Sequence, residues 1–252
     1  MVDILLCGCF GHMGKVITDC VKKRDDCRIV AGVDINTEES ASFPVYKSAE
    51  DFDGKADVII DFSHPNALAG ILKYSLKNNC PAVISTTGLS EEQKNDISES
   101  SKKVALFFSG NMSLGINLLQ ELAFKAAKVL GNEFDVEIVE MHHNQKIDAP
   151  SGTALMLADS VASAMSEKPE YEYNRQAKRE KRTKNEIGIH SVRGGTIVGE
   201  HEIIFAGRDE VIKLSHSAAS KEIFAVGAVN AAIFLYNKKP GLYSMRDIVE
   251  SV

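Results

Sequence analysis

Residues 3–14, DILLCGCFGHMG, run from a short apolar segment through three spaced glycines into a helical pattern. The spacing G-x-x-G-x-x-G of Gly8, Gly11 and Gly14 is a variant of the dinucleotide-binding fingerprint G-x-G-x-x-G. We expect Gly8 to permit a tight turn, Gly11 to let backbone approach a pyrophosphate, and Gly14 to let helix and strand pack closely. The pyrophosphate is then expected at the helix N-terminus, where free N–H groups and the helix dipole favour anions.

An acidic residue closes the second predicted strand, residues 28–34. Asp34 lies twenty residues beyond Gly14, where a carboxylate hydrogen-bonds the adenosine ribose hydroxyls; a solvent-facing strand end is the ordinary alternative. No arginine stands at residues 35–37 to bind a 2′-phosphate, which favours NADH over NADPH. Lys15 is an alternative partner for such a phosphate.

Short apolar strands alternate with helical patterns through the first half of the chain. This order predicts a doubly wound parallel sheet. The remaining predicted strands are 56–63, 81–88 and 103–111, and the helices are 11–23, 65–78 and 90–101. Ligands bind at the carboxyl ends of parallel strands. These strand ends, which are mostly small or polar and each of which has an ordinary loop role as its alternative, comprise Phe62, Ser63, Ser85, Thr86, Thr87, Ser109, Gly110, Asn111 and Met112.

The pattern changes after residue 112 and predicts a second domain with a mixed sheet. We expect a first domain of residues 1–112, completed by 222–252, and a second domain of residues 113–221. The predicted elements are helices at 114–130, 153–166 and 224–236, a half-exposed strand at 134–143, and two strand-like runs at 188–207 and 210–218.

Residues 140–155, EMHHNQKIDAPSGTAL, concentrate groups that suit an anionic substrate. His142 and His143 end a predicted strand, and Lys146 follows in a turn. Ser151, Gly152 and Thr153 begin a helix, where N–H donors and hydroxyls form a carboxylate or phosphate cradle. Each of these groups has an ordinary alternative: a structural role for a histidine, a surface ion pair for Lys146, and plain capping of the helix for Ser151 or Thr153. Spacing alone does not decide which of the two histidines is functional.

Composition narrows the functional classes further. The net charge of −6 argues against general nucleic-acid or anionic-membrane binding. Five cysteines without a C-x-x-C pair favour a reducing cytoplasm, and no apolar run, leader or cleavage site indicates membrane insertion or secretion. Metal-ligand spacing and a G-x-S-x-G elbow are both missing from the sequence, so no metal is expected. The basic segment 175–184 predicts a solvated helix end or surface loop, with anion binding as the alternative.

Seven segments together resemble the bacterial dihydrodipicolinate reductase family, which is also called 4-hydroxy-tetrahydrodipicolinate reductase. They cover nearly the whole chain in order, and the pattern H-H-x-x-K-x-D-A-P-S-G-T-A is highly specific. The segments are GCFGHMG, DVIIDFSHP, STTGL, FSGNMSLGINLL, EMHHNQKIDAPSGTAL, IGIHSVRGGTIVGEHEIIFAG and FAVGAVNAAIFL.

The resemblance implies a Rossmann-like dinucleotide-binding domain, a homotetramer, and a mixed-sheet domain, residues 113–221, that serves substrate binding and tetramerisation. It implies hydride transfer from NADH or NADPH to a cyclic dicarboxylate imine, with loss of water, in lysine biosynthesis through diaminopimelate. His142 falls on the acid/base position and Lys146 on a second proton-donor position. The implied carboxylate-binding positions are His143, Lys146, Ser151, Gly152 and Thr153, and the implied cofactor positions are Gly8, Cys9, Phe10, Gly11, His12, Met13, Asp34, Ser85, Thr86, Thr87, Ser109, Gly110, Asn111 and Met112.

Some positions depart from the family pattern, and other functions compete. Ile35 stands where some relatives carry arginine, and Ser85 replaces an expected glycine; His64 and Lys221 also replace arginine. A relative acting on another small imino or amino acid, such as an aspartate-dehydrogenase-like enzyme, is one alternative. A catalytically silent NAD-binding sensor is another, and the presence of His142 and Lys146 disfavours it.

Overall fold

The computed structural model describes residues 1–251, and the chain divides into two compact units. The first unit comprises Met1–Leu114 and the chain from Glu222 onwards, and the second comprises Gly115–Lys221. The roles predicted for the two parts, dinucleotide binding and substrate binding with tetramerisation, stay predictions. Within the described residues, no helix combines the length and the apolar character needed to cross a membrane.

Twelve strands and eight α-helices make up the regular structure of the described chain. The strands are β1 (Val2–Cys7), β2 (Cys27–Val33), β3 (Val45–Tyr46), β4 (Val58–Asp61), β5 (Ala82–Ile84), β6 (Ala105–Phe108), β7 (Asp135–His142), β8 (Glu170–Glu172), β9 (Glu186–Arg193), β10 (Gly199–Ala206), β11 (Val211–Ala218) and β12 (Gly241–Tyr243). The helices are α1 (His12–Val21), α2 (Leu68–Asn78), α3 (Glu91–Ser101), α4 (Leu114–Leu130), α5 (Gly152–Ala164), α6 (Arg175–Lys178), α7 (Glu222–Leu235) and α8 (Met245–Glu250).

The first unit contains a seven-stranded parallel sheet, as the alternating pattern predicts. Its strand order is β12-β6-β5-β4-β1-β2-β3, and every pair is parallel. The winding direction reverses between β1 and β4, because β2 lies on one side of β1 and β4 on the other. A doubly wound sheet binds its ligand at such a switch point, outside the carboxyl ends of the strands. The predicted doubly wound fold is therefore confirmed, and the glycine-rich turn lies at this edge.

Alternating side chains of the central strand bury both faces of this sheet. Ile4 and Leu6 belong to a core shared with α1 and α7, whereas Leu5 and Cys7 belong to a core shared with α2 and α3. Each fully buried aliphatic side chain contributes about 1.5–3 kcal/mol. Helices on both faces thus hold β1 and the turn that follows it.

The second unit contains a five-stranded mixed sheet with the order β11-β10-β7-β9-β8. Strand β7 pairs antiparallel with β10 and parallel with β9. One face of this sheet packs under α4 and α5 through a core that includes Ile138, Ile203 and Phe205. The predicted mixed sheet is confirmed, and its central strand carries the histidine pair of the sequence motif.

Two details of the sequence interpretation are wrong. The single run predicted at 188–207 is two strands, β9 and β10, because Gly195 lies in the left-handed region at φ +48° and lets the chain turn. The short strands β3, β8 and β12 are absent from the prediction, since two or three residues carry no periodic signal.

Most of the basic segment 175–184 is exposed, as the sequence predicts, and two of its arginines also form ion pairs within the second unit. Arg182 pairs with Asp135 at 3.1 Å and Glu137 at 3.0 Å, and it also donates to three backbone carbonyls. Arg175 pairs with Glu186. These contacts give the cluster a structural role at the β7–β9 end of the sheet.

Candidate active site

The glycine-rich turn joins β1 to α1 in the first unit. Gly8 has φ +79°, and a Cβ there would lie 2.5 Å from the carbonyl oxygen of Phe62. A Cβ at Gly14 would overlap the carbonyl oxygen of Gly8. Gly11 is the N-cap of α1 and has no side chain to accept the first N–H groups, so they remain available to an anion.

Asp34 lies one residue beyond β2, beside this turn. Its Oδ2 accepts a hydrogen bond from the Phe10 N–H at 3.0 Å, and its Oδ1 accepts one from the Asn36 N–H at 3.1 Å. Two backbone donors therefore orient the carboxylate. Ile35 is 93% exposed, and Lys15, the alternative phosphate partner, pairs with Glu39 at 3.1 Å.

A buried carboxylate that sequence reasoning missed organises the neighbouring strand ends. Asp61 ends β4 and accepts hydrogen bonds from the Ser63 hydroxyl at 2.5 Å, the Ser63 N–H at 2.9 Å and the Thr86 hydroxyl at 2.8 Å. Burial raises the pKa of the Asp61 carboxyl, against the effect of these hydrogen bonds. The loops after β4 and β5 are thus tied together beneath the predicted cofactor edge.

The predicted cofactor residues differ in how far they are exposed and in whether side-chain or backbone atoms are available to a ligand. Gly11, His12, Thr87 and Gly110 are exposed at this edge. The side chains of Cys9 and Met112 lie in the core, so only their backbone atoms remain available to a ligand. The partly buried set is Gly8, Phe10, Met13, Asp34, Phe62 and Ser109, and the buried set includes Ser85, Thr86 and Asn111.

Strand β7 carries the second cluster, and its alternation decides which side chains are buried. Val136 and Ile138 face the core of the second unit, and Glu140 and His142 continue the same face. Arg193, which follows in register on β9, donates to Glu140 through both terminal guanidinium nitrogens, at 2.8 and 2.7 Å. Paired donors in this geometry give strong charge-assisted hydrogen bonds.

His142 lies against Glu140 and beside His201. Its Nδ1 is 2.5 Å from Glu140 Oε2, and its ring meets the His201 ring edge-to-face at a centroid distance of 5.2 Å. Desolvation, followed by the proximity of His142, lowers the pKa of His201 to about 4, so His201 is neutral at neutral pH. His143 is the first residue beyond the strand and is partly exposed.

The helix start predicted as a carboxylate cradle is the N-terminus of α5. Ser151 is its N-cap, accepting the Ala154 N–H at 3.2 Å, and its Oγ lies 3.1 Å from His201 Nε2. A Cβ at Gly152 would meet no described atom within 4 Å, so the first turn is open. Thr153 follows in that turn and is partly exposed.

Lys146 lies in the loop between β7 and α5. Its Nζ is 2.7 Å from Asp148 Oδ1, which is the ion pair weighed as an ordinary alternative. Arg193 also donates to the Asp148 carbonyl at 2.6 Å. The second unit therefore brings His142, Lys146 and Ser151 onto elements that share Glu140 and Arg193 as anchors.

Sequence reasoning missed Glu140, Arg193 and His201, although one signal was present. Glu140 continues the apolar face of β7 at a spacing of two, and His201 does the same on β10 before Ile203 and Phe205. A polar residue on the buried face of a strand requires a partner. Arg193 carries no such signal, because its partner is 53 residues away.

Comparisons with known proteins agree along the whole chain. The family model "Dihydrodipicolinate reductase, N-terminus" matches residues 2–112, and "Dihydrodipicolinate reductase, C-terminus" matches residues 115–249. A 4-hydroxy-tetrahydrodipicolinate reductase of Caldanaerobacter subterraneus subsp. tengcongensis is 53% identical over 250 residues, 99% of each chain. One of Clostridium tetani is 47% identical over 251 residues, 100% of this chain and 98% of that protein.

Two solved structures extend the comparison. A dipicolinate-bound dihydrodipicolinate reductase from a Paenisporosarcina species superimposes with a TM-score of 0.83 at 28% identity, covering 98% of this chain and 99% of that one. An aspartate dehydrogenase from Thermotoga maritima has a TM-score of 0.50 at 12% identity, covering 95% and 98%. The second likeness shows a shared fold alone.

Proposed function

This chain belongs to the dihydrodipicolinate reductase family, and from that premise we propose that it reduces 4-hydroxy-tetrahydrodipicolinate to tetrahydrodipicolinate with loss of water. The reaction would serve lysine biosynthesis through diaminopimelate. The observation that carries the proposal is the buried Glu140–His142 pair, which is linked through Ser151 to the open N-terminus of α5. A proton donor and a carboxylate cradle are the two features that reduction of a cyclic dicarboxylate imine requires.

The first unit fits a nicotinamide dinucleotide. Gly8 and Gly14 keep the turn tight, and the helix start at Gly11 leaves N–H groups available, so the turn suits a pyrophosphate. The oriented carboxylate of Asp34 suits a ribose diol. The buried Ser85 Oγ, which has no hydrogen-bond partner in the described part of the chain, is an additional polar group at the same edge. When bound, this cofactor supplies a hydride.

The second unit supplies the remaining groups. Ser151, Gly152 and Thr153, at the start of α5, would hold one carboxylate, with His143 and Lys146 contributing cationic or donor groups. His142 would donate a proton as negative charge develops on the substrate, and Lys146 is a second donor. General acid catalysis of this kind is typically worth about 10²–10⁴-fold.

One coupled assay tests the proposal directly. The substrate is generated in situ from pyruvate and aspartate semialdehyde by a synthase, and NADH oxidation is followed after the purified protein is added. Rapid oxidation that depends on both the synthase and this protein is expected. Oxidation at the background rate with NADH and with NADPH would overturn the proposal.

We expect NADH to have the higher kcat/KM, because no arginine follows Asp34 to bind a 2′-phosphate. Ile35→Arg is expected to raise kcat/KM for NADPH about tenfold, since one charge-assisted hydrogen bond contributes about 1.5–3 kcal/mol. Ile35 is almost fully exposed, so the change should leave the fold intact. Val129→Arg, at an exposed position on α4, controls for added charge. No change in the NADPH:NADH ratio for Ile35→Arg would contradict the assignment of this edge.

We propose that the chain forms a homotetramer through the uncovered face of the five-stranded sheet. This face carries the half-exposed Val139 and Ile204 and the exposed Lys213, opposite the face that packs under α4 and α5. Light scattering should therefore give four chain masses. Ile204→Asp is expected to lower that mass, because it replaces an apolar side chain of this face with a charge that has to be desolvated on assembly. An unchanged mass for this variant would assign the interface elsewhere.

A reducing cytoplasm is the compartment that suits the thiols. All five cysteines are free. Burial raises the pKa of Cys9 to about 11 and that of Cys80 to about 12, so neither forms a reactive thiolate at neutral pH.

A further inference from the structure

The Glu140 carboxylate is fully buried and surrounded by four nitrogen atoms. Its Oε1 accepts hydrogen bonds from Arg193 Nη2 at 2.7 Å and from the Ser151 N–H at 3.1 Å. Its Oε2 accepts one from Arg193 Nη1 at 2.8 Å and lies 2.5 Å from His142 Nδ1. All four contacts therefore converge on one carboxylate from three separate elements, β7, β9 and the start of α5.

The charge state of Glu140 determines where the proton on His142 lies. Burial opposes ionisation, but hydrogen bonds from Arg193, Ser191, His142 and the Ser151 N–H outweigh it and lower the pKa of Glu140 to about 2. An ionised carboxylate only accepts hydrogen bonds, so the imidazole must present a proton on Nδ1. Nε2 is then the nitrogen that is free to exchange a proton.

We propose that Glu140 is a positioning residue that keeps the Nδ1–H of His142 directed at its carboxylate, so that Nε2 is the nitrogen that takes up and gives up the catalytic proton. This inference rests on the proposed function. In the proton-transfer step, the N–H bond at Nε2 of the imidazolium breaks and the proton passes to the negative end of the reduced substrate. His142 thereby becomes neutral, with its remaining proton on Nδ1, and Nε2 takes up a new proton from solvent to restore the imidazolium.

The same carboxylate connects the proton donor to the carboxylate cradle. Through the Ser151 N–H it fixes the start of α5, and through Arg193 it fixes the Asp148 carbonyl in the loop that carries Lys146. A single buried anion thus sets the position of His142 relative to the groups that would hold the substrate. Precise orientation of this kind is a large part of catalysis.

Histidine NMR tests the tautomer in the unmodified protein and without substrate. In protein labelled with ¹⁵N-histidine, the neutral His142 ring is expected to show a protonated Nδ1 and an unprotonated Nε2; His142→Asn assigns its signals. The opposite pattern in the unmodified protein would overturn the proposal. Because the measurement needs no turnover, it is independent of the coupled assay.

Glu140→Gln tests the effect on catalysis. The amide N–H₂ group of glutamine is a donor, and it would face another donor at His142 or at Arg193. The His142 ring is therefore expected to change tautomer. We expect kcat to fall about 10- to 100-fold, while KM for NADH stays within about twofold. Glu137→Gln is the matched control, because it makes the same change on the opposite face of β7, where Glu137 pairs with Arg182. The control should keep both the tautomer and kcat.

The outcomes separate the two proposals. If the unmodified protein shows the expected NMR pattern but no activity in the coupled assay, the proposed reaction is wrong. The placement of the His142 proton by Glu140 would then still stand. Full activity of Glu140→Gln, or an unchanged His142 pattern in that variant, would remove the positioning role while the reaction stands. Equal loss in Glu137→Gln and Glu140→Gln would assign the effect to general stability of the sheet.

Discussion

Lys146→Ala is expected to lower kcat about 10²–10⁴-fold and to leave the dissociation constant for NADH within about twofold. The ammonium group is the second proposed proton donor and a cation for a substrate carboxylate, whereas the proposed cofactor residues belong to the first unit. In this structure it pairs with Asp148, whose carboxylate is more than half exposed. Such exposed pairs contribute about 0–1 kcal/mol, so the variant should remain folded.

Two further variants test whether the effect comes from the Lys146 ammonium group itself rather than from its charge or its ion pair. Lys146→Arg keeps the positive charge but presents a planar, permanently protonated fork, so it should restore substrate binding more than turnover. Asp148→Asn removes the ion-pair partner and is expected to retain most of the activity. Equal loss of NADH affinity and turnover in Lys146→Ala would mean that the residue acts through folding or cofactor binding. Turnover titration and NADH fluorescence quenching measure the two quantities separately.

The sheet of the first unit was predictable because its physical cause is local. Each strand has to bury both faces, so it appears as a short apolar run between helical patterns, and the turn after β1 requires glycine at Gly8 and Gly14. The prediction of α4 at 114–130 agrees with the structure at both ends. Strand β3 has two residues, and its pairing with β2 is determined by tertiary contacts that no local pattern records.

The geometry of the candidate site in the second unit was only half predictable from the sequence. His142, Lys146 and Ser151 stand close together in the chain, so their types and spacing indicate a site. The residues that hold them in place are distant in the chain and give no such indication. Arg193 contacts Glu140 across 53 residues, and His201 contacts Ser151 across 50. The two histidines differ in burial for a structural reason, because β7 buries His142 while the strand ends before His143.

Arg193→Leu is expected to destabilise the second unit by about 3–5 kcal/mol, because it leaves the buried Glu140 carboxylate without its cationic partner. Hydrogen exchange at the β7 amides at pH 7 measures this as a change in the free energy of opening. Arg208→Leu is the matched control. Its partner Asp209 is 3.9 Å away and both side chains are more than 90% exposed, so its effect should stay within about 0.5 kcal/mol.

The pH dependence of this deficit distinguishes a lost charge pair from lost packing. With Arg193 present, the folded-state pKa of Glu140, about 2, lies below its ordinary value of 4.5, so this stabilisation is complete above pH 4.5 and is lost as pH falls toward 2. Without Arg193, burial favours the protonated carboxyl, and protonation relieves the unpaired charge. The deficit of Arg193→Leu should therefore shrink as pH falls from 7 to 4, whereas a deficit caused by lost packing would not change. Glu140→Gln in the Arg193→Leu background should recover part of the lost free energy at pH 7, because it removes the buried charge itself.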